Sequence, residues 1–241
     1  MQRGPWRRVL LKLSGEALAS SAGDEVIDAE VVDRIACEVI AAKSELSLEV
    51  ALVLGGGNIW RGATGALEGM DRSQSDYMGM LGTVINALAM QDAFERHGQS
   101  ARVQSAIQME QVCEPFIRRR AMRHLERDRI VLLAGGMGNP FFTTDTPAAL
   151  RAADIGAEVL FKGTHGGVDG VYTSDPKSNV DAVKLDEVGF DRVIAEELRV
   201  MDLTAITFCK DNKLPIVVFD VMTEGNIGRA LRGDPIGTLV H

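Results

Sequence analysis

The sequence predicts an α/β fold, a three-layer sandwich in which helices cover both faces of a mainly parallel central sheet. Three observations predict it. Short apolar runs alternate with segments of helical spacing from about residue 8 to residue 162, the order that crossover helices impose on a parallel sheet. Two of the runs end in glycine-rich turns, Leu54-Gly55-Gly56-Gly57-Asn58 and Ala134-Gly135-Gly136-Met137-Gly138-Asn139-Pro140, and a third ends in Lys12-Leu13-Ser14-Gly15. Right-handed crossovers then carry the carboxyl ends of these strands, and all three turns, to one edge of the sheet. Glycines at such an edge let backbone N–H groups approach a phosphate with no Cβ in the way. Three turns together suggest a site that grips several phosphates.

The elements follow in order. Arg8–Leu13 is a β-rich run that opens onto Ser14-Gly15. From Asp28, a plausible N-cap, to about Glu45, Val31, Ile35, Val39 and Ile40 recur at helical spacing. Val50–Leu54 reads as a strand. A long helix is expected from Ser75 to Arg96, entered by Asp76 and closed by His97-Gly98. Ala101–Val103 is a short strand, Cys113–Glu126 a helix, Ile130–Leu133 a strand, and Pro147–Ile155 a helix with proline in its first turn. Val159–Lys162 closes the alternating part. Gly163 to Pro176 is dense in turn residues, so hairpins and loops are expected there. Helices return near Gly189–Glu197 and Leu203–Asn212, with strands at Ile216–Phe219 and Gly237–Val240. No repeat or linker interrupts the chain, so the expectation is one domain with an N-terminal lobe (about 1–160) and a C-terminal lobe (about 161–241).

A chain of 241 residues can bury a sizeable core without disulfides or metal. Its three cysteines, Cys37, Cys113 and Cys209, are far apart and lack CxxC spacing, which fits a reducing cytoplasm and argues against structural zinc. The basic N-terminal segment, Met1 to Arg8, runs straight into a strand and has no signal-peptide apolar stretch. Tyr77–Gln91, which no uncharged stretch exceeds in length, is too short to span a bilayer. A cytoplasmic protein with no membrane partner is expected. The net charge of −8 makes bulk nucleic-acid binding a poor expectation, and Arg118-Arg119-Arg120 reads as a solvated helix face.

The common phosphate motifs are absent: no GxxxxGK[ST], no complete dinucleotide fingerprint, no HRD or DFG. The four histidines are scattered, and metal ligation by the chain is not expected. What remains suits phosphoryl transfer, which asks mainly for alignment and for positive charge around the transferred group. Lys12 sits at a strand end where its ammonium can bridge donor and acceptor phosphates, or is simply a surface lysine. Gly56 and Gly57 can donate amides or merely form a tight turn, and Arg61 can reach the same anion or face solvent. Asp145, beside the hydroxyls of Thr143 and Thr144, is a helix N-cap, a partner for Lys12 or a magnesium shell, or more than one of these. Asp169, Asp175 and Tyr172 can meet a nucleoside or serve only local turn and packing roles.

Taken together, Leu10-Leu11-Lys12-Leu13-Ser14-Gly15-Glu16-Ala17, Gly55-Gly56-Gly57-Asn58 with Arg61-Gly62, Asp76-Tyr77-Met78-Gly79-Met80-Leu81, Gly138-Asn139-Pro140-Phe141-Phe142-Thr143-Thr144-Asp145, Val168-Asp169-Gly170-Val171-Tyr172 and Val200-Met201-Asp202-Leu203 closely resemble the bacterial uridylate kinases of the amino-acid-kinase superfamily. The resemblance spans essentially the whole chain. It implies the amino-acid-kinase fold and ATP-dependent phosphorylation of UMP to UDP with magnesium carried by ATP. The N-terminal lobe would be the acceptor side and the C-terminal lobe the ATP side. Lys12, Leu13, Ser14, Gly15, Gly57, Arg61, Thr164, Tyr172 and Asp175 would contact ATP. Gly56, Asp76 and the loop Met137, Gly138, Asn139, Pro140, Phe141, Phe142, Thr143, Thr144 would contact UMP. Lys12, Asp145 and Asp202 would form the reacting centre. The resemblance also implies a homohexamer, often activated by GTP and inhibited by UTP. The helix from Ser75 to Arg96 would supply a dimer face or be a two-sided core helix. A binding-only relative and a sibling kinase acting on another acceptor are the competing readings. The chain departs from the family pattern at Thr164-His165-Gly166-Gly167-Val168-Asp169-Gly170, two residues longer than T-K-V-D-G, with His165 or a glycine in place of the lysine, and at Met137, where many members carry threonine. His165 would contact a phosphate or be a solvated loop residue.

Overall fold

Alternation of apolar runs with amphipathic ones becomes alternation of strand and helix in space. The computed structural model describes residues 4–20, 25–67 and 69–241; the first three residues of the basic N-terminal segment lie outside them. β1 (Arg8–Leu13) runs into a 3-10 turn, Gly15–Leu18, and then come α1 (Ala29–Leu46), β2 (Glu49–Leu54), α2 (Gly62–Leu67) and α3 (Arg72–Arg96). β3 (Ala101–Ser105), β4 (Glu114–Pro115), α4 (Arg118–Leu125), β5 (Ile130–Ala134), α5 (Asp145–Ile155) and β6 (Val159–Thr164) follow. The remaining elements are β7 (Val171–Tyr172), β8 (Lys184–Leu185), β9 (Glu187–Val188), α6 (Phe190–Ala195), α7 (Leu203–Asp211), β10 (Ile216–Asp220), α8 (Asn226–Arg232) and β11 (Thr238–Val240).

Nine strands form one sheet in the order β4-β3-β5-β2-β1-β6-β10-β11-β9. The strands from β4 to β10 are mutually parallel. β11 turns antiparallel to β10, and β9 runs alongside β11. The small β7–β8 hairpin stands apart from the sheet. From β1 the chain crosses to β2 on one side, and β6 later takes the other side. That reversal is a topological switch point, where open α/β sheets leave a crevice beyond the strand ends.

The period of two along β1 sorts the layers. Val9, Leu11 and Leu13 face a core built with Val32, Ile35 and Val39 of α1, Val84, Met90 and Phe94 of α3, and Ile227 and Leu231 of α8. Leu10 faces the opposite core with Leu125 of α4, Ala148 and Ile155 of α5, and Ile206 of α7. Lys12 follows Leu10 on that second face, and α5 covers it. The three-layer expectation therefore holds.

Several boundaries differ from the sequence reading. The helix expected over Cys113–Glu126 begins only at Arg118, and Glu114–Pro115 pairs with β3 as a strand. Pro115 has no N–H for a helix interior and biases its predecessor toward extended backbone. The long helix starts at Arg72 because Asp71, not Asp76, caps it, accepting from the Gln74 N–H at 3.0 Å. Asp76 is thereby left to the cleft. The 3-10 turn, α2, β9 and α8 were not anticipated; all are short, and α2 and α8 carry internal glycines that blur helical spacing. No helix among the described residues is long and apolar enough to cross a membrane.

Candidate functional site

β1 and β6 are parallel neighbours in a register that sets Lys12 opposite Lys162. Both side chains emerge on the face that α5 covers, and both are largely buried. Two ammoniums side by side repel, and Asp145 at the start of α5 sits between them. Lys162 donates to its Oδ2 at 2.7 Å. Lys12 lies 2.7 Å from Oδ1 as an ion pair, outside hydrogen-bond alignment. Burial alone would raise the Asp145 carboxyl, but the two lysines outweigh it and hold the group below the usual carboxylate range. Burial, with the Lys12 charge added, pushes Lys162 below the usual lysine range despite Asp145. The trio carries one surplus positive charge in a poorly solvated place.

Buried side chains of α3 fix the glycine turns above this trio. Asn86 donates to the Gly55 carbonyl at 2.7 Å and to Asn58 Oδ1 at 2.8 Å. Thr83 Oγ1 accepts from the Gly135 N–H at 2.8 Å. The turns also press on one another: a Cβ on Gly15 would stand 2.8 Å from the Gly55 carbonyl and 2.9 Å from the Gly57 nitrogen. Glycine is required there by contact rather than by conformation.

A cleft of about 410 Å³ opens at Lys12, the member of the trio that lines it. Of the residues expected at the site, Lys12, Ser14, Gly15, Gly56, Gly57, Arg61, Asp76, Met137, Asn139, Phe142, Thr143 and Thr144 line it. Arg61 is turned back on Glu16, 2.5 Å away. Asp76 is gripped by Arg72 Nε at 3.0 and 2.9 Å and accepts the Phe141 N–H at 2.8 Å. That bond draws the loop onto α3 while Phe141 sits in the left-handed region at φ 74°, a conformation rare for a bulky residue.

Other expected residues lie elsewhere. Leu13 is fully buried in the α1–α3 core, so only its backbone is near the turn. The Phe141 side chain is 67% exposed, and neither it, Gly138 nor Pro140 is among the cleft-lining residues. Asp202 does not touch either lysine. It caps α7 by accepting from Ala205 N–H at 2.8 Å, and it also accepts from Thr143 Oγ1 at 2.6 Å and Thr146 Oγ1 at 2.8 Å. It fastens the loop and α5 to α7. Tyr172 and Asp175 line a second cavity of about 560 Å³ with Lys177 and Arg199. The Thr164 hydroxyl is taken by the Val168 and Phe219 carbonyls. Arg118, Arg119 and Arg120 are exposed on α4, as expected of a solvated face.

Sequence reasoning missed Lys162, Arg72, Thr83, Thr146 and Asn86 as site-building residues. Lys162 had a signal, a lysine at the end of a strand parallel to the one that ends at Lys12. Cys209 is buried in the core on the α5 side of the sheet, and burial, reinforced by the Asp202 and Asp145 charges, pushes its thiol up to about 12. It is no nucleophile.

An open parallel sheet, a cleft at its switch point walled by glycine turns, and two lysines on one carboxylate define a class, the three-layer α/β phosphotransferases. Within that class the chain belongs to the amino acid kinase family, whose model matches residues 7–220. It is 56% identical over 235 residues to a uridylate kinase of Erythrobacter litoralis, covering 98% of this chain and 97% of that one. The crystal structure of a UMP kinase from Bacillus anthracis superposes with a TM-score of 0.93 at 38% identity, covering 99% of this chain and 97% of that one. A UMP kinase from Ureaplasma parvum gives 0.91 at 32% identity, covering 98% and 99%.

Proposed function

We propose that this chain transfers the γ-phosphoryl group of ATP to UMP, giving ADP and UDP, as a cytoplasmic nucleoside monophosphate kinase of pyrimidine nucleotide biosynthesis. The observation that carries the reading is the Lys12–Asp145–Lys162 trio, whose Lys12 lines a cleft walled on one side by Asp76 and the 137–144 loop. A phosphate oxygen of UMP attacks the γ-phosphorus, and the bond to the β,γ-bridging oxygen breaks in line. UMP is largely dianionic at neutral pH, its second pKa near about 6 by analogy with phosphoresidues, so no general base is needed. Lys12 neutralises charge on the moving phosphoryl group, and Lys162 supports it from the adjacent strand. Asp145 holds the two ammoniums at one spacing. Asp202 acts through Thr143 and Thr146 as a positioning residue.

Asp76 meets the UMP ribose, Gly56 and the loop from Met137 to Thr144 cradle the rest of the acceptor, and Phe141 contributes its backbone. Ser14, Gly15, Gly57 and Arg61 serve the triphosphate, with Arg61 swinging off Glu16, and Tyr172 and Asp175 receive the adenine nucleoside. Among the described residues no group of three or more His, Cys, Asp or Glu is arranged to hold a metal ion. The carboxylates near the cleft face lysines, threonines or an arginine; that magnesium arrives with ATP as co-substrate rests on the family resemblance. The reading extends to a homohexamer with GTP as activator and UTP as inhibitor. Tyr77, Met78, Leu81 and Ile85 form an exposed apolar row on α3 that suits self-association; the regulators rest on the family resemblance alone.

A coupled ADP-release assay with magnesium-ATP tests the reading, with UMP, CMP, AMP, acetylglutamate and carbamate in parallel. Turnover with UMP well above the others is expected. Turnover with a carboxylate instead, or ATP binding with no turnover on any acceptor, overturns it.

A further inference from the structure

Among the described residues, His165 is the histidine in contact with one of the three turns, and no role above uses it. It directly follows β6, the strand that carries Lys162. Its Nδ1 lies 2.8 Å from Ser14 Oγ, joining segments 151 positions apart. Ser14 precedes the 3-10 turn without capping it through its side chain, and it lines the cleft. Beyond His165 the loop passes through Gly166 and Gly167 at φ 75° and 81°, and a Cβ on Gly167 would meet nothing within 4 Å. The Ser14 contact thus ties down a loop with little else at its tip. The charged groups facing the imidazole are Lys12 from β1, Glu16 from the 3-10 turn, Arg61 from beyond the second glycine turn, and Lys177 from the segment after β7.

A hydroxyl has one hydrogen and two acceptor lone pairs. When Nδ1 is bare, Ser14 gives its hydrogen to the imidazole and shows the cleft only lone pairs, the wrong polarity for a phosphate oxygen. When Nδ1 carries a proton, as it must in the imidazolium, Ser14 accepts and its own hydrogen is released. We propose that His165 is a positioning residue for the triphosphate side of the cleft, its protonated ring turning the Ser14 hydroxyl into a donor for a phosphate oxygen. The inference rests on the ATP-side reading given above. Partial burial lowers His165 from the ordinary histidine value; Glu16 opposes this, while Arg61, Lys12 and Lys177 add to it. The chain's own groups therefore favour the neutral ring at neutral pH, and a polyanion beside it favours the imidazolium.

The test is calorimetric binding of magnesium β,γ-imido-ATP between about pH 5.5 and pH 8, the span in which a histidine titrates. Wild type, His165→Ala, His165→Lys, Ser14→Ala and the Ser14→Ala/His165→Ala double variant are compared, with circular dichroism to confirm folding. The ratio of variant to wild-type Kd at each pH cancels the ligand's own ionisation. For His165→Ala the ratio is expected to grow from near unity at the alkaline end to about tenfold at the acid end, the scale of one charge-assisted hydrogen bond. His165→Lys, with a fixed cation, should give a Kd whose ratio to that of His165→Ala is nearly constant across the same range. In the Ser14→Ala background most of the histidine's pH effect should vanish. A ratio that stays constant with pH overturns the inference, and so does an undiminished pH effect without Ser14, which would mean simple attraction rather than positioning. Failure of folded wild type to bind the analogue at any pH removes the ATP reading as well, whereas tight binding with a flat ratio removes only this inference.

Discussion

The wall of the cleft around Asp76 and the segment 164–177, whose residues line the second cavity, are held in different ways. On the Asp76 side, two buried side chains of one long helix anchor the backbone, Asn86 on Gly55 and Thr83 on Gly135, and the half-buried Asp76 adds a bond to Phe141. On the other side, several contacts lie at the surface. His165 meets Ser14, Lys184 meets Asp169, and Arg199, 87% exposed, meets Asp175 at 3.2 Å. Water competes with exposed pairs and barely with buried ones. The Asp76 wall is therefore the more firmly held of the two, and the 164–177 segment the more adjustable. Asp145 belongs to neither and holds Lys12, which lines the cleft, beside Lys162.

The largest effect is expected at that trio. Asp145→Asn leaves two buried ammoniums facing each other without a counter-charge. Removing one partner of a buried ion pair costs about 3–5 kcal/mol, to be read as a lower urea midpoint with an unchanged slope. A midpoint equal to wild type would mean that the lysines relax into solvent and that Asp145 does not hold them. Next comes Lys12→Ala. Turnover should fall by about 10²- to 10³-fold, the loss typical of one preorganised group facing transition-state charge. The KM for UMP should change little, and near-wild-type turnover would remove Lys12 from the reacting centre.

The smallest pair of effects sharpens the contrast between the two regions. Asn86→Ala orphans the buried Gly55 carbonyl and should cost about 1–3 kcal/mol, whereas Arg199→Ala should cost about 1 kcal/mol or less. Equal losses in denaturant titrations would contradict the idea of a more firmly held wall and a more adjustable segment.

The same contrast separates what was legible in the sequence from what was not. Lys12, the glycine turns and the Asp76 and 137–145 motifs could be read because each is a local pattern at the end of an apolar run. Lys162 could not be assigned a role, because its position beside Lys12 depends on the register of two strands far apart in sequence. The Ser14–His165 and Asp202–Thr146 contacts were invisible for the same reason. Asp71 was overlooked as the cap of α3 because Asp76 lies closer to the strongly periodic stretch. Asp202 looked like a reacting-centre carboxylate, and in space its oxygens serve two threonines and a helix N-terminus.

The most direct test of the account measures the KM for UMP and for ATP in Asp76→Ala and in Asp175→Ala. Asp76→Ala should raise the UMP value by about 10- to 100-fold, the range for a hydrogen bond to a charged group, and leave the ATP value within about twofold. Asp175→Ala should do the reverse with a smaller change, of about tenfold or less, because its segment is the more adjustable. If both variants raise the KM of the same nucleotide, or if Asp76→Ala acts on ATP, the assignment of the two regions is wrong.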